Sequence, residues 1–267
     1  MYADWLMVYL YTMYIAFLNE STYRANVVFT MLYEILTLFI SVSVWTALYR
    51  SRGAVNGTTL AEMVLYVMAV QACRNMTRNR LPEALHQKMT SGSIANDFIR
   101  PVSIMLSMIS DQLGRNYFRF IFATVPVLVI GILFFHPSSV LPVNVLLFIV
   151  SVLLGMILML QISWIIGLFS FWTNNGVFGR MLISSIISVF GGTVVPLWFY
   201  PDFMKNICMV LPFSYMFFYP AGILMGKYSA SEIIKIFVVQ LIWAGLLIAA
   251  ERIVWVNARK VITVQGG

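Results

Sequence analysis

An all-α integral membrane protein is the fold class that this sequence predicts, and three observations predict it. Hydrophobic residues make up 61% of the 267-residue chain and charged residues 10%, against roughly 45–50% and 25% in soluble domains. Mean hydropathy is +0.88. The apolar residues are gathered into runs near the roughly 20 residues that a bilayer crossing requires, divided by short polar breaks and one long one at residues 74–119. The formal charge of +7 and pI near 9.5 are what basic residues held in cytoplasmic loops produce in such a chain. They do not call for a nucleic acid partner.

Residues 3–20 are apolar and aromatic, but the uninterrupted part, 5–18, is too short to cross. Tyr2, Trp5, Tyr9, Tyr11, Tyr14 and Tyr23 suit the headgroup region, so this stretch is expected to lie along the membrane surface. A short buried helix of the bundle is the alternative. Asp4 stands where a cleavable signal would carry basic residues, and no small-residue cleavage site follows.

The first span is expected at about 26–49, with Glu34 a third of the way in. Arg50, Ser51, Arg52, Gly53, Asn56 and Gly57 form the next loop. The second span, about 58–76, starts at Glu62 and loses its apolar character near Cys73; Arg74 and Arg78 then share a helical spacing and are expected to snorkel into the cytoplasm. After the cytoplasmic region, 77–117, the third span runs over about 118–135. His136-Pro137-Ser138-Ser139 turns the chain into the fourth, 143–171, whose 29 residues would be about 43 Å long as a helix and must tilt or protrude. Thr173-Asn174-Asn175-Gly176 leads to the fifth, 177–195.

Residues 196–226 are strongly apolar yet contain Pro196, Pro201, Pro212 and Pro220. Proline breaks helices, and the pieces left, 203–211 and 213–219, cannot cross alone. Irregular backbone is not tolerated against lipid, so an outer re-entrant or interfacial hairpin packed on protein is expected, with Trp198, Phe199 and Tyr200 at the interface. The sixth span is expected at 233–256 and a short tail at 257–267. Six spans put both termini on one side. That side carries twelve lysines and arginines and the other five, which makes the termini and the long polar region cytoplasmic. No repeat supports an inverted-repeat transporter.

Chemical motifs are few. Cys73 and Cys208 are far apart and apolar in setting, and His86 and His136 lack ligand spacing, so neither a disulfide framework nor a metal site is expected. Gly222-Ile223-Leu224-Met225-Gly226-Lys227-Tyr228 is one residue short of a phosphate loop and has Tyr where the magnesium-binding hydroxyl belongs. ATP hydrolysis is therefore not expected of this chain. An acid near the bilayer centre costs about 2.5–3.5 kcal/mol, so Glu34 must meet a cationic or hydroxylated substrate, a hydrogen-bond donor on a neighbouring helix or subunit, or the interface of a shifted span. Gln161, in mid-span, has the same choices, with helix–helix bonding favoured. Both are candidates for a translocation path. A proton- or ion-coupled transporter or channel using Glu34 is the competing reading; an intramembrane enzyme would need a paired catalytic set that is missing, and a sensory or assembly subunit would use the same fold without transport.

The cytoplasmic region divides at a glycine. In Leu81-Pro82-Glu83-Ala84-Leu85-His86-Gln87-Lys88-Met89, Pro and an acid open a helix and a lysine closes it. Ser91-Gly92-Ser93 ends it, Asn96 or Asp97 can cap the next element, and Arg100-Pro101 stops that one. Residues 104–113 are again apolar at helical spacing. Two short helices would thus present Phe98 and Ile99 beside Asp97 and Arg100, apolar knobs ringed by charge as in a docking surface; a solvated loop packed on its own bundle is the alternative.

Several stretches, in order, resemble one family. They are Tyr23-Arg24, Trp45-Thr46-Ala47-Leu48-Tyr49, Ser91-Gly92 with Asp97-Phe98-Ile99-Arg100-Pro101, Pro196-Leu197-Trp198-Phe199-Tyr200-Pro201, Leu211-Pro212-Phe213, and 220–226. Together they resemble the ABC-2 type permeases, the membrane subunits of bacterial ATP-driven exporters, over most of the chain. The resemblance implies a bacterial cytoplasmic membrane location and a coupling role for Gly92 and Asp97-Phe98-Ile99-Arg100-Pro101 in a groove of a separate ATP-binding subunit, present in two copies. It also implies a second permease, identical or related, with the substrate path between the two, and an outer hairpin at Pro196, Trp198, Pro201, Pro212 and Pro220 that helps close the far side. No cofactor belongs to this chain in that reading; ATP and magnesium sit on the ATPase.

Overall fold

The computed structural model describes residues 2–22, 24–50, 54–55, 57–136, 140–173 and 176–261. Tyr23, Ser51-Arg52-Gly53, Asn56, Pro137-Ser138-Ser139, Asn174-Asn175 and tail residues 262–267 lie outside these, as do the side chains of Tyr2, Asp4, Trp5, Arg24, Arg180, Arg259 and Lys260.

The described residues are almost entirely helical. Helix α1 is Tyr2–Thr22, α2 Arg24–Tyr49, α3 Leu60–Thr77, α4 Leu81–Thr90, α5 Ile94–Ile99 and α6 Ile104–Arg119. A π-helical turn, Phe120–Thr124, joins α6 to α7, Val125–Phe135. Then follow α8 Pro142–Thr173, α9 Gly176–Phe190, α10 Asp202–Val210, α11 Phe218–Leu224 and α12 Ala230–Val261. Two-residue strands, Ala54–Val55 and Thr58–Thr59, pair antiparallel between α2 and α3.

Among the described residues, four stretches are long and apolar enough to cross a membrane: Ala25–Tyr49, Ile104–Phe135, Pro142–Phe169 and Ala230–Ala258. A bent pair, Asp202–Val210 with Ser214–Leu224, passes the same test as one unit broken by 68°. The chain is thus an all-α multi-pass membrane protein. Within α3, Glu62, Gln71 and Arg74 dilute the apolar residues, and Met181–Phe190 of α9 is apolar but shorter.

Several boundaries differ from the sequence expectation for physical reasons. Helix α3 starts at Leu60 because Thr59 and Glu62 form a reciprocal cap: the Glu62 amide donates to Thr59 Oγ1 at 3.3 Å and the Thr59 amide to Glu62 Oε2 at 2.7 Å. It ends at Thr77, so Arg78, with extended backbone, follows the helix rather than sharing a face with Arg74. The helix entering the third apolar run begins at Ile104, well before 118, capped by the Ser103 hydroxyl. Helix α9 stops at Phe190, short of 195, and two glycines follow it. In the proline-rich stretch the helical pieces are α10 and α11, and Pro220 lies inside the first turn of α11, where its missing N–H is harmless.

Helix α1 lies along α6. A Cβ on Gly114 would sit 2.0 Å from the Met13 carbonyl, so the two backbones touch there. Glu20 of α1, 8% exposed, accepts from Arg119 Nη2 at 2.8 Å and Arg115 Nη1 at 3.3 Å. Tyr9 accepts from the Ser103 amide at 3.0 Å. The opposite face, with Leu6, Met7, Leu10, Tyr11 and Tyr14, is exposed. Helix α8 is the central post: its buried Leu158, Trp164 and Leu168 meet different clusters of the core. Deep in the bundle, Gln240 of α12 donates to the Ser151 carbonyl at 3.0 Å and the Tyr215 carbonyl at 2.7 Å, tying α12, α8 and the bent pair together.

Candidate functional site

The helical hairpin of residues 81–101 is built on α4. Pro82 stands in its first turn with Glu83, and Lys88 in its last. Leu81 and Leu85 are buried against α8. The approach is close because α8 carries Gly167: a Cβ there would lie 3.2 Å from Pro82 Cα. The chain entering α4 is held by amides from α6. Gln112 donates to the Arg78 carbonyl at 3.1 Å and accepts from the Arg80 amide at 3.0 Å; Asn116 donates to the Met76 carbonyl at 3.0 Å. Asn79 donates to Ser163 Oγ of α8 at 2.9 Å. These amides were not singled out in the sequence. Their four-residue spacing, on one face of an amphipathic helix, is the signal that could have found Gln112 and Asn116.

Gly92 turns the chain with φ +69°, a conformation that L side chains resist. The Ser91 and Gly92 amides donate to the Gln87 and Met89 carbonyls and close α4. Because the turn is this tight, α5 begins at Ile94. Asn96 and Asp97 therefore fall within its first turns and do not cap it, and the Asp97 carboxylate faces Lys88 instead, 2.5 Å from its Nζ. Arg100 is extended, as a residue before proline must be, and Pro101 ends the element. Ile99 is 82% exposed and Phe98 42%. Phe98 nevertheless stacks its ring on Trp255 of α12, at 6.3 Å between centroids and 14° between planes. The structure thus brings Gly92, Asp97, Phe98, Ile99, Arg100 and Pro101 to one tip.

Glu34 is elsewhere. It is buried, and its Oε2 accepts from Gln71 Nε2 of α3 at 2.7 Å, while the same nitrogen reaches the Glu34 carbonyl at 2.9 Å. Of the readings open from the sequence, the hydrogen bond to a neighbouring helix is the one observed. The residue also lines two adjoining cavities. One, of about 130 Å³, runs past Ser41 to Trp45; the other, of about 460 Å³, extends past Arg74 and Arg78 to Arg80 and Pro82. Gln161 is not brought to these cavities. It is buried between α8 and α12 and donates to the Ala244 carbonyl at 3.3 Å.

The proline-rich stretch packs on α2, α3 and α8. Phe199 stacks on Trp45 at 5.4 Å, and Trp198 meets Tyr66 and Phe218 edge-on or tilted at 4.9 and 5.3 Å. Pro196, Pro212 and Pro220 are buried, whereas Pro201, which opens α10, is exposed. Lys227 closes the arrangement: its Nζ donates to Thr58 Oγ1 at 2.8 Å, sits 4.0 Å from Glu62 and lies 4.7 Å above the Trp198 ring. Burial lowers the Lys227 pKa, and Glu62 partly opposes that. Among the described residues no cluster of three metal-ligating side chains occurs.

A family model described as ABC-2 family transporter protein matches residues 32–266. The chain belongs to the ABC-2 transporter family. Among curated proteins, none matches. The match starts within α2, so α1 precedes it, and it takes in both the hairpin tip at residues 92–101 and the cavities at Glu34. As an ABC-2 family member the protein is a membrane component of an ABC-type transporter. Such a component is not itself catalytic and works with an ABC ATPase component.

Proposed function

We propose that this ABC-2 permease is an exporter subunit of a bacterial cytoplasmic membrane, with both termini cytoplasmic. The four long helices, α3 and α9 make six crossings, and the bent pair of α10 and α11 is an outer re-entrant hairpin. Twelve basic residues against five support this orientation. Two permeases, identical or related, enclose the substrate path, and two ATP-binding subunits carry ATP and magnesium.

The observation that carries this reading is the tip at Phe98, Ile99 and Arg100. An isoleucine left 82% exposed between a half-exposed phenylalanine and an arginine is poor for a solvated loop and suited to a groove on another protein. Behind the tip, α4 rests on α8 through Leu81 and Leu85, and Phe98 rests on α12 through Trp255. Closure of the ATPases would push these two long helices as rigid bodies and open the permease seam outward. The test is ATPase activity of the reconstituted complex. Ile99→Pro and Arg100→Glu are expected to abolish transport-linked stimulation while the permease still inserts; wild-type coupling in both variants overturns the assignment.

A further inference from the structure

The cavity beside Glu34 has an excess of positive charge that the fold does not use. Arg74, Arg78 and Arg80 line it and are exposed. Among the described residues no carboxylate pairs with any of the three: the ion pairs formed are Lys88–Asp97, Arg115 with Glu20 and Asp111, Arg119–Glu20 and Lys227–Glu62. The cavity's own acid, Glu34, already accepts from Gln71. Three guanidinium groups therefore face one carboxylate.

The opposite wall has another chemistry. Met159, Ile183, Ile187, Val194 and Phe217 supply apolar surface, and Ser184 and Ser188 are its polar points. The volume, about 460 Å³, falls within the roughly 300–1,000 Å³ of small-molecule sites. Guanidinium groups match phosphate geometry with paired hydrogen bonds, and like charge in such a site disfavours a cation strongly. The polar end is continuous with the segment 78–80 leading into α4, so it adjoins the element proposed to be pushed by the ATPase.

Resting on the permease reading, we infer that this cavity takes an amphiphile with a phosphate-type anionic head on Arg74, Arg78 and Arg80 and an apolar tail against Ile183, Ile187 and Phe217. The charge of the site thus selects an anion where Glu34 alone would have suggested a cation.

Binding to the purified permease in nonionic detergent tests this without any transport step. Calorimetric titration with dodecyl phosphate is expected to saturate at one molecule per chain, with dodecyltrimethylammonium and inorganic phosphate at least tenfold weaker. Arg74→Gln with Arg78→Gln should weaken dodecyl phosphate at least tenfold; Lys235→Gln with Arg252→Gln, an equal loss of charge on exposed α12 surface, should change nothing. Wild-type affinity in the double variant, or equal binding of the cation, overturns the inference. Equal binding of inorganic phosphate overturns the amphiphile and leaves a free-anion site. Should the double variant fail to fold, Arg80→Gln alone is expected to weaken binding measurably, and wild-type affinity there counts against the site. The coupling assignment fails separately, through normal coupling in both Ile99→Pro and Arg100→Glu.

Discussion

Lys88 and Asp97 meet across the Gly92 turn, Nζ to Oδ2 at 2.5 Å, and so fasten α4 to α5 at the tip of the helical hairpin. The pair is half-exposed on the lysine side, where such a bridge is worth about 0.2–1 kcal/mol. Gly92 contributes more. A Cβ there meets nothing within 4 Å, so Gly92→Ala carries only the left-handed backbone penalty, about 1–2 kcal/mol. Hydrogen exchange in residues 88–97 should accelerate about five- to thirtyfold in Gly92→Ala, and less in Asp97→Asn. Equal protection in Gly92→Ala and wild type would contradict the positive φ.

Helix α1 should detach on a single added methyl group. Gly114→Ala drives a Cβ into the Met13 carbonyl, an overpacking of the kind that costs about 1–3 kcal/mol or more. Limited proteolysis should then clip the region around residue 22 while the remainder stays folded. Glu20→Gln, which leaves Arg119 facing a neutral amide, should give the same cleavage more slowly.

At Glu34 the two partners should respond unequally. Glu34→Gln retains an oxygen that Gln71 can donate to, so thermal unfolding in detergent should be almost unchanged and ATP-driven transport should persist. Gln71→Leu strands the buried carboxylate and should cost about 1–3 kcal/mol. Loss of all transport in Glu34→Gln would favour an ion-coupled mechanism.

Lys227→Met should loosen the proline-rich stretch from α3, since it removes the bond to Thr58 and the cation above Trp198; the latter contact alone is worth about 0.5–1 kcal/mol. The pH dependence has a definite sign. Burial lowers the folded pKa of Lys227 below its ordinary 10.5, so from the folded pKa up to 10.5 the unfolded chain holds more protons and stability rises with pH. The wild-type protein should gain melting temperature relative to Lys227→Met as pH climbs through that window. A difference independent of pH would contradict a partly desolvated ammonium.

The long helices were legible because apolar runs of 20 or more residues have few alternatives in a membrane. The hairpin of α4 and α5 was legible as well, since Pro82, Gly92 and Pro101 punctuate it by backbone chemistry alone. What the sequence concealed depends on neighbours. Asp97 reads as a cap until Lys88 is seen across the turn, and Gln161, read foremost as a helix–helix bond, stays a path candidate until the Ala244 carbonyl stands beside it. Arg78 reads as one turn beyond Arg74 until Gln112 and Asn116 draw the chain out of α3. The cavity's excess of positive charge required three arginines and one acid to be placed around the same space.

The π-helical turn at Phe120–Thr124 sets a phase. Such a turn holds one residue more than an α-helix would, and each residue advances a helix by about 100°. The stripe that α6 shows to α1 therefore cannot run on as the stripe that α7 shows to α2 and α3; the register is stepped between them. Asn75 holds the step from α3, its Nδ2 donating to Thr124 Oγ1 at 3.0 Å. Deleting any one residue from 120–124 would let the helix straighten, at which point either the α6 half or the α7 half must turn its wrong side to its neighbours.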